Sequence, residues 1–202
     1  MTIAARKLVV ATGNAHKTRE IARILGRFEV SSLVNHPPVE FPAEGGDYFD
    51  NARVKAIVAA RAIGTACVAD DSGLEVAALG GAPGAYSARY GGAGLDDRGR
   101  FEALLTALQS FPTPRGARFF CAAAVALPDG RCQVAEGVCE GQILMQAKGD
   151  GGFGYDPIFL PEGQVRVMAE LADVEKDGLS HRGRAFRALE PAIEELLAGW
   201  RD

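Results

Sequence analysis

The chain has 202 residues, of which 48% are hydrophobic and 24% are charged, a balance typical of globular domains that excludes disorder along the whole chain. It carries 22 Lys and Arg against 26 Asp and Glu, a net charge of −4, and therefore lacks the basic surplus of a duplex nucleic-acid binder. No apolar run approaches the roughly 20 residues of a membrane helix, so we expect one cytoplasmic domain over residues 1–202 with no nucleic-acid or membrane partner.

The first half of the chain alternates strand and helix patterns. A short apolar run over 7–11 predicts the first strand, and its Gly-Asn ending distinguishes it from a secretion signal. The further predictions for this half are a loop over 12–16, a helix from Lys17 with Ile21, Ile24 and Leu25 on one face, a strand over 28–33, a loop over 35–46, a helix bearing Val54, Ile57, Val58 and Ala62, a short strand over 67–70, a Gly-rich loop over 71–94, and a helix bearing Phe101, Leu104, Leu105 and Leu108.

The second half is dominated by a predicted hairpin. Strand-like segments over 118–127 and 131–143 are joined by Pro128-Asp129-Gly130, a typical hairpin turn. A Gly-rich loop over 148–156 follows, and the apolar spacing from Phe186 to Trp200 predicts a closing helix bent at Pro191. Alternating elements combined with a long hairpin predict an α/β fold built on a mixed β-sheet.

The four cysteines do not have the spacing of a metal site. Cys67, Cys121, Cys132 and Cys139 contain no CxxC pair, and the three histidines are scattered. A zinc site is therefore disfavoured, and buried reduced thiols are the better interpretation.

The loop after the first strand is a candidate anion site, with the sequence Thr12-Gly13-Asn14-Ala15-His16-Lys17. Small residues between a strand and a helix allow backbone N–H groups to approach a phosphate, and Lys17 adds a full positive charge. The segment is not a complete P-loop, because that pattern needs glycine where Ala11 stands. A plain turn with a solvated lysine is the alternative.

Two adjacent carboxylates, Asp70 and Asp71, precede Ser72 and Gly73 at the predicted end of a strand. Carboxylate oxygens there suit Mg²⁺, a hard cation. Neighbouring side chains on a strand point to opposite faces, so only one of the two should face a cleft. An ordinary turn is equally consistent with these residue types.

Two further segments carry candidate ligand groups. The loop around Phe153, Gly154, Tyr155 and Asp156 satisfies a GxGxxG pattern, but a strand and not a helix is predicted after it, which argues against a dinucleotide site. Its aromatic rings are suited to stacking on a base, or to packing inward. Lys176, His181 and Arg182 place basic groups at a helix start that Ser180 would cap, where an anion or a polar ligand would relieve their repulsion. A solvated basic surface is the alternative.

Together these segments resemble the inosine triphosphate pyrophosphatase family, which hydrolyses non-standard purine nucleotides. The motifs that carry the resemblance, in family order, are ATGNAHKTREI, FDNARVKA, ADDSGLEVAALGGAPGAYSARY, GGFGYDPIF and SHRGRAF. They span nearly the whole chain. The resemblance implies an elongated mixed sheet with flanking helices in two lobes around a central cleft, assembled as a homodimer.

The resemblance also implies roles for individual residues. Asp71 would be the catalytic carboxylate, binding Mg²⁺ and activating water, and hydrolysis of ITP, dITP or XTP would yield the monophosphate and pyrophosphate. Substrate-binding roles would fall to Thr12, Gly13, Asn14, Ala15, His16, Lys17, Ser72, Phe153, Gly154, Tyr155, Asp156, Lys176, His181 and Arg182.

One stretch departs from the family pattern. Where members often carry Glu-Thr-Gly, this chain reads Ala43-Glu44-Gly45-Gly46, and one residue fewer precedes Asp50-Asn51-Ala52. We take Glu44 as the candidate second metal ligand, with Glu40, Asp47 or Asp50 as alternatives. The main competing function is a nucleotide-binding regulatory module without hydrolysis, which would have no need of a carboxylate beside phosphate.

Overall fold

The protein is described by a computed structural model that covers residues 7–200; the six residues before the first predicted strand and the last two residues lie outside the described range. A seven-stranded mixed sheet forms its centre. The strands are β1 Lys7–Val10, β2 Glu29–Ser32, β3 Cys67–Val76, β4 Pro83–Gly84, β5 Arg115–Ala126, β6 Cys132–Ile143 and β7 Phe159–Pro161. The helices are α1 Ala15–Ile24, α2 Tyr48–Ile63, α3 Asp97–Ala107, α4 Asp173–Leu179 and α5 His181–Ala198.

The sheet is parallel at one end and antiparallel at the other. Its order is β2-β1-β3-β5-β6-β7, with β4 paired to β3 off this path. β1 runs parallel to β2 and β3, whereas β3, β5, β6 and β7 are successively antiparallel. The predicted α/β fold with a mixed sheet and flanking helices is confirmed. Within residues 7–200, no helix is both long and apolar enough to cross a membrane.

The two faces of the sheet carry different helices. Val10 and Val68 face α1 and α5, while Val9 and Ala69 face α2, as the two-residue period of a strand requires. A third cluster, around Leu74, Leu104 and Phe159, builds a second lobe where β3, β5 and β6 extend beyond these helices. The candidate site lies where the two lobes meet.

Two predictions for the elements were wrong in detail. β3 does not end at Asp70 but continues to Val76, because β5 pairs with it along its full length, including Asp71 with Ala122. The helix α2 forms as predicted, but its buried face consists of small residues such as Ala56 and Ala59, and Val54 is 38% exposed. Small side chains let this helix lie close against the sheet.

Candidate active site

A cleft of about 540 Å³ opens between the two lobes, a volume within the range of small-molecule sites. It is lined by residues from the loop before α1, the loop before α2, the middle of β3, the segment after β4, α3, the Gly-rich loop and the start of α5. Segments far apart in sequence therefore meet at one cavity. The predicted site residues that line it are Thr12, Gly13, Asn14, Lys17, Glu44, Asp71, Ser72, Phe153, Gly154, Tyr155, His181 and Arg182.

The loop before α1 is built by capping bonds. Asn14 is the N-cap residue: its Oδ1 accepts hydrogen bonds from the backbone N–H groups of His16 (2.9 Å) and Lys17 (3.2 Å). Thr12 Oγ1 accepts from the Asn14 backbone N–H at 3.1 Å. These bonds satisfy N–H groups that an uncapped helix would leave free. The groups that could bind an anion here are therefore Lys17 and the exposed turn at Gly13, because Asn14 already occupies the N–H groups of the first helical turn.

Asp70 is a buried ion-pair partner and not a cleft residue. Its Oδ2 lies 2.9 Å from Lys17 Nζ and 3.0 Å from Arg182 Nη2, and its side chain is 0% exposed. Burial alone would raise its pKa, but the charges of Lys17 and Arg182 hold the pKa of this carboxyl well below its ordinary value. Asp70 thus stays ionised and fixes two cations at the edge of the cleft.

Asp71 points to the opposite face of β3 and lines the cleft. Its Oδ2 accepts from Asn51 Nδ2 at 2.8 Å, and its Oδ1 lies 3.4 Å from Lys55 Nζ. Burial raises its pKa despite the nearby Lys55 charge. The prediction that only one of the two carboxylates faces the cleft is confirmed, since Asp71 lines it and Asp70 does not. The Asp71 oxygen that Asn51 does not hold, Oδ1, contacts the Lys55 ammonium group. A basic oxygen in this position can orient or deprotonate water.

Glu44 and Asp71 share one cation, since Lys55 Nζ also lies 2.8 Å from Glu44 Oε1. Two carboxylates that hold an ammonium group between them have the donor chemistry that Mg²⁺ uses, with phosphate oxygens completing its shell. The other candidate metal ligands predicted from the sequence make different contacts: Asp47 caps α2, and Asp50 pairs with Arg53. The third candidate, Glu40, does not line the cleft. Within residues 7–200, no group of three or more metal-binding side chains forms.

The Gly-rich loop is anchored at three points. Phe153 N donates to Asp156 Oδ2 at 2.8 Å, Gly154 N donates to Asp97 Oδ2 at 2.8 Å, and Tyr155 Oη donates to the Ser87 carbonyl at 2.9 Å. Gly152 adopts φ 70°, and a Cβ there would meet Asp156 Oδ2 at 2.2 Å. Glycine is therefore required where this turn closes over the Asp156 carboxylate.

The Phe153 ring stands among polar side chains. The His16 ring centroid lies 5.2 Å away, Lys176 Nζ lies 4.8 Å from the ring centroid, and the Arg182 guanidinium lies 5.7 Å from it. The two cations, Lys176 and Arg182, are attracted to the electron-rich face of the ring. The ring is half-buried at the cleft wall, where a flat ligand can replace the histidine contact.

The basic groups before and within α5 are neutralised by the protein itself. Glu20 Oε1 lies 2.7 Å from Lys176 Nζ, Glu20 Oε2 lies 2.6 Å from Arg182 Nη1, and Lys176 also pairs with Asp156. The expectation that an anionic ligand must relieve their repulsion was wrong, because buried carboxylates from distant elements do so. The Ser180 cap is confirmed: its Oγ accepts from Gly183 N at 3.0 Å.

His181 differs from its neighbours because it is held neutral. Its ring stacks on Phe119, with centroids 4.6 Å apart and planes at 10°. Burial, together with the positive charges of Arg182 and Lys176, lowers the pKa of His181 well below its ordinary value. Its Nδ1 is buried without a hydrogen-bond partner among the described residues. A neutral ring with an unpaired nitrogen at the cleft wall can bind a polar ligand edge.

Four of the predicted substrate residues do not line the cleft. Ala15 and His16 are exposed on the first turn of α1, and Asp156 and Lys176 lie behind the Phe153 loop, where they hold it in place. Sequence reasoning missed Lys55 and Arg100, which line the cleft, and Asn51, which donates to Asp71, although Lys55 and Asn51 lie in the FDNARVKA motif. No local pattern pairs Lys55 with Asp71, since the contact forms only when α2 packs on β3.

Comparison with known proteins gives consistent matches over nearly the whole chain. A family model described as the Ham1 family matches residues 8–192. A dITP/XTP pyrophosphatase of Bacillus cereus is 46% identical over 200 residues, covering 96% of this chain and 98% of the relative. A dITP/XTP pyrophosphatase of Streptomyces avermitilis is 47% identical over 197 residues, covering 95% and 98% respectively.

Solved structures share the fold. A HAM1 protein from Coxiella burnetii superposes with a TM-score of 0.80 at 36% identity, covering 94% of this chain and 99% of that one. A nucleoside-triphosphatase and dITP/XTP pyrophosphatase from Mycobacterium abscessus gives a TM-score of 0.72 at 45% identity, covering 92% and 99%.

Proposed function

The chain belongs to the Ham1 family, and we propose that it is a hydrolase that converts non-standard purine nucleoside triphosphates (dITP, XTP and ITP) to the monophosphate and pyrophosphate. The observation that carries the proposal is that Asp71 and two lysines, Lys17 and Lys55, line one cleft of suitable volume. Hydrolysis of a polyanion needs a carboxylate to activate water and cations to stabilise the leaving group. A protein that only bound the polyanion would be weakened by the carboxylate, because like charges repel.

The cations hold the polyphosphate. Lys17 is fixed by Asp70, and Lys55 lies between Glu44 and Asp71, so both ammonium groups are oriented before substrate arrives. Preorganised charges need no rearrangement as negative charge develops on the leaving pyrophosphate. The exposed Thr12-Gly13-Asn14 turn would lie along the phosphate chain.

Asp71 acts on water. With one carboxylate oxygen held by Asn51, the other can accept a proton from a water molecule aligned with the α-phosphorus. The water oxygen forms a bond to that phosphorus, the bond to the bridging oxygen breaks, and pyrophosphate leaves with the electron pair. Mg²⁺, for which Asp71 and Glu44 are the candidate ligands, would neutralise phosphoryl oxygens when bound.

The base would lie against Phe153 in the Gly-rich loop, with Ser72 near the sugar or phosphates. Hypoxanthine and xanthine carry a carbonyl at position 6, whereas adenine carries an amino group. N–H donors from Arg182 and the loop would bind the carbonyl. Adenine is disfavoured, because its amino group cannot accept these hydrogen bonds and would leave the donors unpaired. His181 then contacts the base as a neutral ring.

Assembly and location are part of the same proposal. The resemblance of the chain to its family supports a homodimer, and sedimentation equilibrium would then give twice the chain mass of 21.3 kDa. A role in removing unwanted nucleotides places the enzyme in the cytoplasm, where nucleotide pools are used.

A panel of nucleoside triphosphates, assayed with and without Mg²⁺, tests the function. We expect pyrophosphate as the first product, with dITP and XTP hydrolysed about tenfold or more faster than ATP, and loss of turnover when the metal is chelated. Orthophosphate as the first product would assign a different reaction. Binding without turnover of any nucleotide would identify a regulatory module.

A further inference from the structure

Arg100 lies on the wall of the cleft that belongs to the second lobe. The helix α3 carries two nearby arginines with different environments: the Arg98 side chain is 78% exposed and pairs with Glu102, whereas the Arg100 side chain is 24% exposed and lines the cleft. Arg98 thus lies on the solvent-facing side of the helix. The other is directed to the site.

Asp97 fixes Arg100 relative to the Gly-rich loop. Asp97 Oδ1 lies 2.8 Å from Arg100 Nη1, and Asp97 Oδ2 accepts the hydrogen bond from Gly154 N at 2.8 Å. The Asp97 carboxylate therefore fixes the positions of both the Arg100 guanidinium and the loop that carries Phe153. This arrangement positions a cation before any ligand binds.

Arg100 keeps one buried N–H donor without a partner, although Asp97 pairs with its Nη1. Lys17 and Arg182 are paired with Asp70, and Lys55 is paired with Asp71 and Glu44. The Nε of Arg100, by contrast, is buried without any hydrogen-bond acceptor among residues 7–200. A buried N–H without a partner is unfavourable, and an anionic oxygen would supply the missing acceptor.

We infer that Arg100 binds phosphoryl oxygens of the substrate from the lobe opposite Lys17; this rests on the proposed hydrolysis of nucleoside triphosphates. Guanidinium groups match phosphate geometry with paired N–H donors. The cations placed over the Phe153 ring are Lys176 and Arg182, and Arg100 is not among them. Arg100 therefore contacts the phosphate end of the substrate and not the base.

Pyrophosphate titration tests this assignment, because pyrophosphate carries the phosphoryl groups without a base. We would measure pyrophosphate affinity by calorimetry, and kcat/KM for dITP and dGTP, in Arg100→Gln, Arg100→Lys and the matched control Arg98→Gln. We expect Arg100→Gln to weaken pyrophosphate binding about 10–100-fold, the value of one charge-assisted contact, and to lower kcat/KM for both nucleotides alike. Arg98→Gln should leave these values within about twofold of those of the wild type, as expected for an exposed ion pair.

Two results would overturn the inference. Pyrophosphate affinity of Arg100→Gln equal to that of Arg98→Gln would remove Arg100 from phosphate binding, and an altered ratio of dITP to dGTP with unchanged pyrophosphate affinity would place it at the base. If thermal melts show that Arg100→Gln is unfolded, Arg100→Lys decides: loss of the paired donors should weaken binding about threefold to tenfold, and unchanged affinity contradicts the inference. A wild-type chain that binds pyrophosphate but does not hydrolyse dITP would refute the proposed function while leaving the Arg100 test intact.

Discussion

Asp70 and Asp71 show how far two neighbouring residues of one type can differ. Asp70 is buried beneath Lys17 and Arg182, while Asp71 lies at the cleft with its pKa raised by burial. The alternation of the strand directs one carboxylate to the interior and the other to the cleft. The two should respond differently to the same substitution.

Asp71→Asn should abolish hydrolysis without unfolding the protein. The amide keeps the shape of the side chain but cannot accept a proton from water, and loss of one such group costs about 10²–10³ in turnover. Pyrophosphate release measures the loss, and a thermal melt checks the fold. Asp129→Asn, on the exposed β5–β6 turn, is the matched control; equal activity of the two variants would remove Asp71 from its role.

His181 makes stability depend on pH. Burial keeps its ring neutral in the folded state, whereas the unfolded chain binds a proton near pH 6.5. The unfolded state thus binds more protons, and stability falls as pH drops through that value. Between pH 7.5 and 5.5, urea unfolding should show a loss of stability about 1.4 kcal/mol larger in the wild type than in His181→Gln.

His36→Gln is the control for that measurement, because His36 is only half-buried in the loop after β2, where its backbone N–H donates to the Leu33 carbonyl. Its pH dependence should follow that of the wild type. Identical pH profiles for the wild type and His181→Gln would show that His181 binds its proton equally well in the folded and unfolded states, which contradicts a ring held neutral by burial.

Among the elements, the crossing of α5 over β6 positions the basic end of the cleft. A Cβ on Gly137 would meet the His181 carbonyl oxygen at 2.2 Å and Ala185 N at 2.4 Å, so the helix start lies directly against the strand. Gly137→Ala should shift α5, cost about 1–3 kcal/mol of stability and lower kcat/KM. Gly116→Ala on β5 is the control, because nothing lies within 4 Å of its Cβ position; an equal effect of both would rule out this steric explanation.

The sequence predicts elements better than their contacts. The strand–loop–helix at residues 7–24 and the hairpin of β5 and β6 follow from apolar spacing and turn residues. The extension of β3 past Asp70 does not, because Asp, Ser and Gly favour turns and only pairing with β5 overrides them. The seven-residue helix α4, rich in charge, has no apolar period to reveal it.

The site follows the same division. The motifs predict Asp71, Lys17 and the Phe153 loop as site residues from their residue types, and the structure brings all three to one cleft. The sequence does not predict that Arg182 pairs with Glu20, because the two residues are 162 positions apart. Contacts between distant elements depend on packing that no local pattern encodes.

At the scale of the molecule, a chain of buried ion pairs connects the first turn of α1 to the Gly-rich loop. It runs through Lys17, Asp70, Arg182, Glu20, Lys176 and Asp156, which belong to α1, β3, α5, α4 and the loop before β7. Removal of one member takes a counter-charge away from each of its buried partners. The walls of the cleft therefore depend on each other.

Glu20→Gln should expose that dependence, since it leaves two buried cations without their shared carboxylate. We expect a loss of about 3–5 kcal/mol in urea unfolding. Glu29→Gln, exposed on β2, should change stability by less than about 0.5 kcal/mol. A loss no larger than that of Glu29→Gln would mean that water and neighbouring groups replace the carboxylate.

Hydrolysis of dITP in ¹⁸O-labelled water tests the central claim most directly, because the label records which phosphorus the water attacks. If Asp71 aligns water with the α-phosphorus between the cationic walls, mass spectrometry will find the label in dIMP and none in pyrophosphate. Label in pyrophosphate or in orthophosphate would mean that water attacks farther along the chain, and the arrangement of Asp71 and Lys17 would need a different explanation.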